Sequence, residues 1–289
     1  PPKLAGMSPF FSADDLLAAT TRGDRMIILD SHWAPQDNAS WDAYVSQHIP
    51  GAFWCDPLRM LAGTPSPETG RNPLPNPTML QHFVTDWGIS AGVPVRIYDS
   101  GRMFWAARAW WVLRWAGVDD VKIIAGGTPA WEAAGGDVAG GIGCLRGRGT
   151  FEISTGGMPT IELEELDDWV TSGNLLVDVR GEGRFIGRRE PHDRRAGHVP
   201  GAVNFPVELL LETGGVADPE VVAERLARRG IGGPDGVDPS KVAVYSGSGV
   251  DSALFLALME HAGLPGARHF VGGWSQWAGN RHLPVALGV

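Results

Sequence analysis

One segment in the second half of the chain combines residue types and spacings suited to anion chemistry. Positions 241–252 read Lys-Val-Ala-Val-Tyr-Ser-Gly-Ser-Gly-Val-Asp-Ser. The β-branched run predicts a buried strand, the two glycines a tight turn, and the apolar run 253–261 a helix. Backbone N–H groups converge at the turn of such a strand–turn–helix unit and favour an anion there. The segment therefore predicts an anion-binding loop with Ser246 at its focus.

Single residues exclude several common loops of this shape. A dinucleotide-binding loop needs glycine where Ser252 stands, and a hydrolase nucleophile elbow needs glycine where Val244 stands. The Gly-Lys-Ser/Thr of a phosphate-binding Walker loop is absent. A cysteine-phosphatase loop would need an arginine soon after the nucleophile, and none lies between Lys241 and Arg268. Taken alone, the segment is equally compatible with a merely structural strand–helix turn.

The elements that must position this loop occur twice in the chain. Four landmarks recur in the same order at separations of 146–150 positions. They are Asp30 and Asp178 at strand ends, His48 and His198 in His-x-Pro-Gly-Ala, Asp99 and Ser246 after a tyrosine, and Gly126-Gly127 and Gly272-Gly273 before a tryptophan. Ordered recurrence of this kind indicates a tandem duplication of one domain.

The repeat predicts the domain organisation and the fold class. We expect an N-terminal domain over 1–138, a Gly-rich exposed linker over 139–158 and a C-terminal domain over 159–289. Short apolar strands alternate with helical patterns in each half, which predicts an α/β fold with a mainly parallel sheet flanked by helices. Ser12 with Asp15 predicts a capped helix from position 13, and Asp218-Pro219 predicts another helix start.

Composition narrows the classes of partner and cofactor. A net charge of −9 makes nucleic acid and anionic membranes poor partners. The two cysteines, Cys55 and Cys144, have neither metal spacing nor the density of a disulfide framework, and none of the eight histidines shows metal spacing. We expect no metal, no cofactor and a location in the reducing cytoplasm.

A cysteine at position 246 would turn the loop into Cys-Gly-Ser-Gly-Val. With that exchange the chain resembles the tandem-domain sulfurtransferases of the rhodanese family, most closely those that use 3-mercaptopyruvate. The His-x-Pro-Gly-Ala motifs, Asp-Val-Arg at 178–180 and the Gly-Gly-x-x-x-Trp elements extend the resemblance over nearly the whole chain. It implies two rhodanese-like domains, the first inactive with Asp99 at the nucleophile position, the second catalytic.

The resemblance also implies a mechanism that the present residue cannot carry out. A cysteine thiolate at 246 would take sulfur from a donor as a persulfide and pass it to an acceptor. Serine forms no persulfide, and its alkoxide is too basic to form unaided. Ser246 is therefore either an engineered exchange, which we favour because the rest of the loop is retained, or natural to a pseudo-enzyme. We expect the chain as written to be inactive.

Site residues follow from the same resemblance. The catalytic loop comprises Ser246, Gly247, Ser248, Gly249, Val250 and Asp251, where Ser248 would handle the substrate thiol proton and Asp251 replaces the usual threonine. The substrate carboxylate would be bound by arginines of the 184–195 segment, with Arg188 preferred and Arg184 second because Ile186 stands where one arginine is expected. Arg71 and Asn72 would close over the cleft, although relatives have histidine at position 72. His48 and His198, present in both halves, are predicted to be structural.

Three functions remain open at this stage. The neutral loop Gly247-Ser248-Gly249 favours 3-mercaptopyruvate, whereas the arginine-rich segment would suit a thiosulfate sulfurtransferase. A non-catalytic module that binds an anion or a protein partner is the third. The family implies a small-molecule sulfur donor, a thioredoxin-like or other thiol or cyanide as acceptor, and a possible sulfur-relay protein.

Overall fold

The N-terminal half folds around a five-stranded parallel sheet. The computed structural model describes residues 8–36, 38–143, 148–212 and 215–288. The strands, in the spatial order β1-β5-β4-β2-β3, are β1 (Phe10–Phe11), β2 (Ile27–Asp30), β3 (Phe53–Trp54), β4 (Val95–Tyr98) and β5 (Val121–Ile124). The helices are α1 (Ala13–Arg22), α2 (Ala39–Ser46), α3 (Pro77–Asp86), α4 (Phe104–Trp115) and α5 (Gly127–Ala133). Ser12 caps α1 as predicted, accepting a hydrogen bond from the Asp15 backbone at 3.0 Å.

The C-terminal half repeats this plan with a four-stranded parallel sheet. Its order is β11-β10-β6-β7, with β6 (Leu175–Asp178), β7 (Val203–Asn204), β10 (Val242–Tyr245) and β11 (Arg268–His269). An antiparallel hairpin is made by β8 (Leu211–Glu212) and β9 (Gly215–Val216). The helices are α6 (Leu166–Thr171), α7 (Glu182–Phe185), α8 (Pro219–Ala227), α9 (Asp251–His261) and α10 (Gly273–Gly279). The predicted fold class, two α/β domains with parallel sheets flanked by helices, is confirmed.

Helices α4 and α9 pack against each other between the two sheets. Both are apolar on nearly every side, and residues 106–113 and 252–259 are buried. A helix that is apolar all round belongs in the middle of a core. Each of these helices starts directly after a loop that follows a central strand, β4 or β10. Their contact therefore brings the two loops to one interdomain cleft.

The two histidines of the repeated motif have matching environments. His48 Nδ1 lies 2.8 Å from the Tyr44 carbonyl oxygen, and its ring stacks on that of Tyr44 at 4.3 Å. His198 Nδ1 lies 2.8 Å from the Phe185 carbonyl oxygen and stacks on Phe185 at 3.7 Å. Both side chains are buried. These contacts support the structural role that their recurrence predicts.

Much of the segment between the domains is bonded to the N-terminal domain. The backbone N–H groups of Gly149, Phe151 and Gly157 donate to carbonyls of that domain at 2.7–3.1 Å. A Cβ on Gly149 would lie 2.2 Å from the Ile89 carbonyl oxygen. The glycines here allow close packing on one side, although most of the described residues of this segment are exposed on the other. Residues 144–147, Cys144 included, lie outside the described residues. None of the helices in the described parts of the chain is long and apolar enough to cross a membrane.

Candidate active site

The loop at 246–250 joins β10 to α9, as the sequence predicts. Gly249 has a φ of +78°, and a Cβ there would lie 2.6 Å from the Val271 carbonyl oxygen. A Cβ on Gly247 would lie 3.1 Å from a guanidinium nitrogen of Arg184 and 3.2 Å from one of Arg71. Glycine at 249 therefore supplies the left-handed backbone of the turn. Glycine at 247 lets two arginines approach the loop closely.

The Gly272-Gly273 turn holds this loop from behind. The Trp274 N–H donates to the Ser246 carbonyl at 2.8 Å, and the Ser275 N–H donates to the Gly247 carbonyl at 2.9 Å. Gly273 has a φ of +57°, and a Cβ there would lie 2.4 Å from the Ser246 carbonyl oxygen. The distant Gly-Gly-x-x-x-Trp element thus fixes two carbonyls of the loop.

The equivalent loop of the N-terminal domain shows what such N–H groups bind. The Asp99 carboxylate accepts four backbone N–H bonds at 2.9–3.2 Å, from Gly101, Met103, Trp105 and Ala106. Three of the matching groups in the C-terminal loop belong to Ser248, Val250 and Ser252. No group within the described residues accepts a hydrogen bond from these three. Within the described residues, the C-terminal loop therefore keeps without an acceptor donors of the kind that Asp99 satisfies in the other domain.

A cavity of about 540 Å³ lies over the C-terminal loop and is lined by both domains. It brings together most of the site residues predicted from the sequence: Ser246, Gly247, Ser248, Val250, Asp251, Arg184, Arg71 and Asn72. Gly249 does not line it, because its carbonyl turns toward the buried Arg108 at 3.5 Å. Arg188, the preferred carboxylate ligand, is exposed and lies outside the cavity. Helix α7 ends at Phe185 and the chain turns outward there, so Arg184 is the arginine that reaches the loop.

Buried carboxylates hold the two cavity arginines in place. Arg184 donates to Glu190 at 2.8 Å and lies 3.6 Å from Asp193, which also pairs with Arg71. Burial opposes ionisation of Glu190, but its bond from Arg184 and the nearby charges bring its pKa below the usual value. The arginines are thus pre-oriented beside Gly247, and their charge is largely balanced.

Residues of the N-terminal domain bond directly to the C-terminal loop. The Asn72 amide donates to the Ser248 hydroxyl at 2.9 Å, and the Arg71 N–H donates to the Ser275 hydroxyl at 3.0 Å. An amide nitrogen has no lone pair free to take a proton. Asn72 therefore positions Ser248 without offering it a base.

The Asp251 carboxyl, which lines this cavity, has a raised pKa. Burial, reinforced by the negative charge of Glu208, raises the pKa of Asp251 to about 6, although Arg184 and Arg102 oppose this. Asp251 therefore titrates near pH 6 and is mostly ionised at pH 7. The negative charge that this residue adds to the cavity is substantially reduced only at about pH 6 and below.

Comparison with known proteins decides the family. The sequence model of the rhodanese-like domain matches residues 12–134 and again 162–280. The chain belongs to the rhodanese-like family. A Mycobacterium tuberculosis relative named "Putative thiosulfate sulfurtransferase SseB" is 34% identical over 283 residues, covering 96% of each chain. A Pseudomonas aeruginosa relative named "Probable 3-mercaptopyruvate sulfurtransferase" is 37% identical over 278 residues, covering 94% of this chain and 96% of the relative.

A solved structure extends this likeness to three dimensions. The 3-mercaptopyruvate sulfurtransferase of Escherichia coli superposes with a TM-score of 0.78 at 27% identity, over 93% of this chain and all of the other. The predicted resemblance to tandem rhodanese-family sulfurtransferases is confirmed. Such whole-length similarity supports a sulfurtransferase activity, with relatives named for both sulfur donors.

Several residues of this rhodanese-like site were not predicted. Arg102 lines the cavity from the N-terminal loop that matches the active loop, so the repeat itself could have indicated it. Trp33 and Trp105 form one wall of the cavity, with ring centroids 5.2 Å apart. Glu208 and His192 also line the cavity, and nothing in the local sequence points to them.

Proposed function

We propose that the cavity binds 3-mercaptopyruvate and that position 246 is the nucleophile position of a sulfurtransferase. The observation that carries this proposal is the set of N–H groups in the loop after Ser246 that have no acceptor among the described residues and whose counterparts bind the Asp99 carboxylate. An array that holds a carboxylate in one domain suits a thiolate or persulfide in the other. Such donors, together with the start of α9, would lower the pKa of a thiol at this position.

The chemistry proposed for a cysteine at 246 is a two-step sulfur transfer. The thiolate attacks the substrate sulfur, an S–S bond forms, and the carbon–sulfur bond breaks. The electrons of that bond pass to the pyruvate enolate, which takes up a proton to give pyruvate. An acceptor thiolate then attacks the outer sulfur and regenerates the thiolate at 246. The acceptor class that we propose is a thioredoxin-like dithiol or another small thiol.

Serine at 246 prevents the first of these steps. Ser246 is 1% exposed and keeps its hydroxyl within 3.1 Å of the Ser252 hydroxyl. Its high pKa leaves no alkoxide near neutral pH, and oxygen forms no persulfide. We propose that the chain as written binds the donor without turning it over.

The charge balance of the cavity favours mercaptopyruvate over thiosulfate. Arg71 and Arg184 match the geometry of one carboxylate, and Glu190 and Asp193 cancel much of their charge. A dianion such as thiosulfate would gain less from this balanced pair than from free arginines. Thiosulfate nevertheless stays the second candidate donor, because the Mycobacterium tuberculosis relative is named for it. A non-catalytic binding module is the third candidate, since serine occupies position 246.

A paired assay separates these candidates. Pyruvate release from 3-mercaptopyruvate and thiocyanate formation from thiosulfate and cyanide are measured on the chain as written and on Ser246→Cys. Turnover only in the Cys variant, with a higher kcat/KM for mercaptopyruvate, supports the proposal. A higher kcat/KM for thiosulfate reverses the donor assignment. A folded Cys variant without turnover of either donor contradicts the enzyme and leaves the binding module.

A further inference from the structure

A buried chain of hydrogen bonds lies behind position 246. The Ser246 and Ser252 hydroxyl oxygens are 3.1 Å apart, and the Ser252 oxygen is 2.7 Å from Nε2 of His269. Ser252 and His269 are fully buried, and Ser246 is 1% exposed. The three side chains come from the loop, the first turn of α9 and the edge strand β11. Only Ser252 contacts the side chain at position 246 directly, and neither Ser252 nor His269 lines the cavity.

The fold itself does not require histidine at 269. His269 lies beside Val244 in its sheet, and the matching pair in the N-terminal sheet is Ile123 beside Ile97. Ile123 is fully buried in its own domain. The same strand position thus accepts an aliphatic side chain, whereas a buried imidazole costs desolvation. The histidine therefore calls for a reason beyond packing.

The surroundings of His269 indicate where its proton lies. Burial, and secondarily the charge of Arg108, hold the pKa of His269 well below its ordinary value, so the ring is neutral. Its ring packs edge-on against Trp111 at 4.6 Å, and Nδ1 has no partner within the described residues. A buried N–H donor without an acceptor is costlier than an unpaired lone pair. The proton is therefore assigned to Nε2, which donates to Ser252.

We propose that Ser252 and His269 are positioning residues that aim a hydroxyl donor at the sulfur of a nucleophile at 246. Because the Ser252 oxygen accepts the hydrogen bond from His269, the Ser252 hydroxyl can donate its own hydrogen to the side-chain atom at position 246. A thiolate or persulfide there gains a charge-assisted hydrogen bond in addition to the backbone donors. The proposal rests on the proposed function only in taking 246 as the nucleophile position.

The direction of these hydrogen bonds excludes a serine-hydrolase role for Ser246, Ser252 and His269. A hydrolase base must accept the nucleophile's proton, directly or through a relay. Here the hydrogen bonds run from His269 to Ser252 to Ser246, so Ser246 is an acceptor toward the protein interior. Its own hydrogen is left to point toward the cavity.

The thiol pKa of the Ser246→Cys protein tests the proposal. It is obtained from the pH dependence of alkylation by iodoacetamide, which needs no turnover. Adding Ser252→Ala should raise this pKa by about one unit or more, the effect of losing a hydrogen bond to a charged group. His269→Ile, which copies the N-terminal domain, should raise it in the same direction. His269→Gln keeps an N–H donor at similar reach and should leave the pKa near that of Ser246→Cys.

The other charges facing position 246 are unchanged in this series, so the shift reports the donor. They are Arg71 and Arg184 beside Gly247, Arg108 beside Gly249, and Arg102, His192, Glu208 and Asp251 in the cavity lining. Thermal unfolding of each variant verifies that it is folded.

Two results would overturn the proposal. One is an unchanged thiol pKa in folded Ser252→Ala or His269→Ile; the other is a His269→Gln variant that shifts as much as His269→Ile. Nitrogen NMR of the chain as written gives an independent answer, because a proton on Nδ1 of His269 contradicts the assignment and a proton on Nε2 supports it. If the thiol pKa shifts as expected but Ser246→Cys transfers no sulfur, this inference is upheld and the proposed function fails. Sulfur transfer without these shifts would do the reverse.

Discussion

The two strand–turn–helix loops of this protein carry the same kind of backbone N–H donors but differ in what these donors bind. The N-terminal loop binds its own anion, because Asp99 accepts four N–H bonds. The C-terminal loop has Ser246 at that place and lines a cavity shared by both domains. In one copy of a duplicated site, the backbone donors can thus be bound by a side chain of the same loop, and the loop then serves as a structural turn. In the other copy it stays available to a ligand.

The largest effect is expected from removing the internal anion. Asp99→Ala leaves four backbone N–H groups, two of them buried and two half-buried, without their acceptor and should lower the free energy of unfolding by about 3 kcal/mol. Ser246→Ala, the matched change in the other loop, removes one hydroxyl bond and should cost about 1 kcal/mol. Urea unfolding of both variants measures the difference. Equal losses would show that the two loops are stabilised in the same way.

The second-largest effect is expected from Arg184, the arginine that lies beside the C-terminal loop. In the Ser246→Cys background, Arg184→Ala should raise KM for 3-mercaptopyruvate roughly tenfold to a hundredfold, because a charged hydrogen-bond pair to the carboxylate is lost. Arg188→Ala is the matched control and should leave KM unchanged, since Arg188 is exposed outside the cavity. Steady-state kinetics on both variants measure this. A larger effect at Arg188 would contradict the placement of the substrate.

Replacing Asp251 is expected to change the free energy of unfolding by a smaller amount, which depends on pH. Its counterpart in the N-terminal loop is Phe104, so only the C-terminal copy carries a carboxyl whose pKa is raised to about 6. A raised carboxyl pKa costs no stability in acid, and the cost grows as the pH rises from about 4 through 6. Asp251→Asn should therefore be about 1–2 kcal/mol more stable than the parent at pH 8 and equal to it near pH 4. Urea unfolding at the two pH values measures this. A stability difference that does not change with pH would contradict the assignment.

The sequence was sufficient for those features that local patterning and repetition determine. The recurrent landmarks predicted two domains, both loops and the equivalence of Asp99 and Ser246, and the capping residues predicted the starts of two helices. Eight predicted site residues line one cavity, because loop order and parallel strands fix where the strand ends meet. The choice between Arg184 and Arg188 depended on where a four-residue helix ends, which local sequence does not determine.

Contacts between distant segments could not be predicted in this way. Ser252 meets His269 only because β11 lies beside β10 while α9 starts behind it. Glu208 reaches the cavity from a turn after the edge strand β7, and its position depends on packing between elements. Buried polar pairs of this kind leave no period in the sequence, since each partner looks like an isolated residue in an apolar run.

The most direct test of the account is the intact mass of the protein after exposure to 3-mercaptopyruvate. We expect Ser246→Cys to gain one sulfur atom on the residue at 246, and the chain as written to gain none. Subsequent treatment with a dithiol should remove the added sulfur. A folded Cys variant that never acquires sulfur at 246, or a chain as written that acquires it elsewhere, would contradict the assignment of position 246 as the nucleophile of this site.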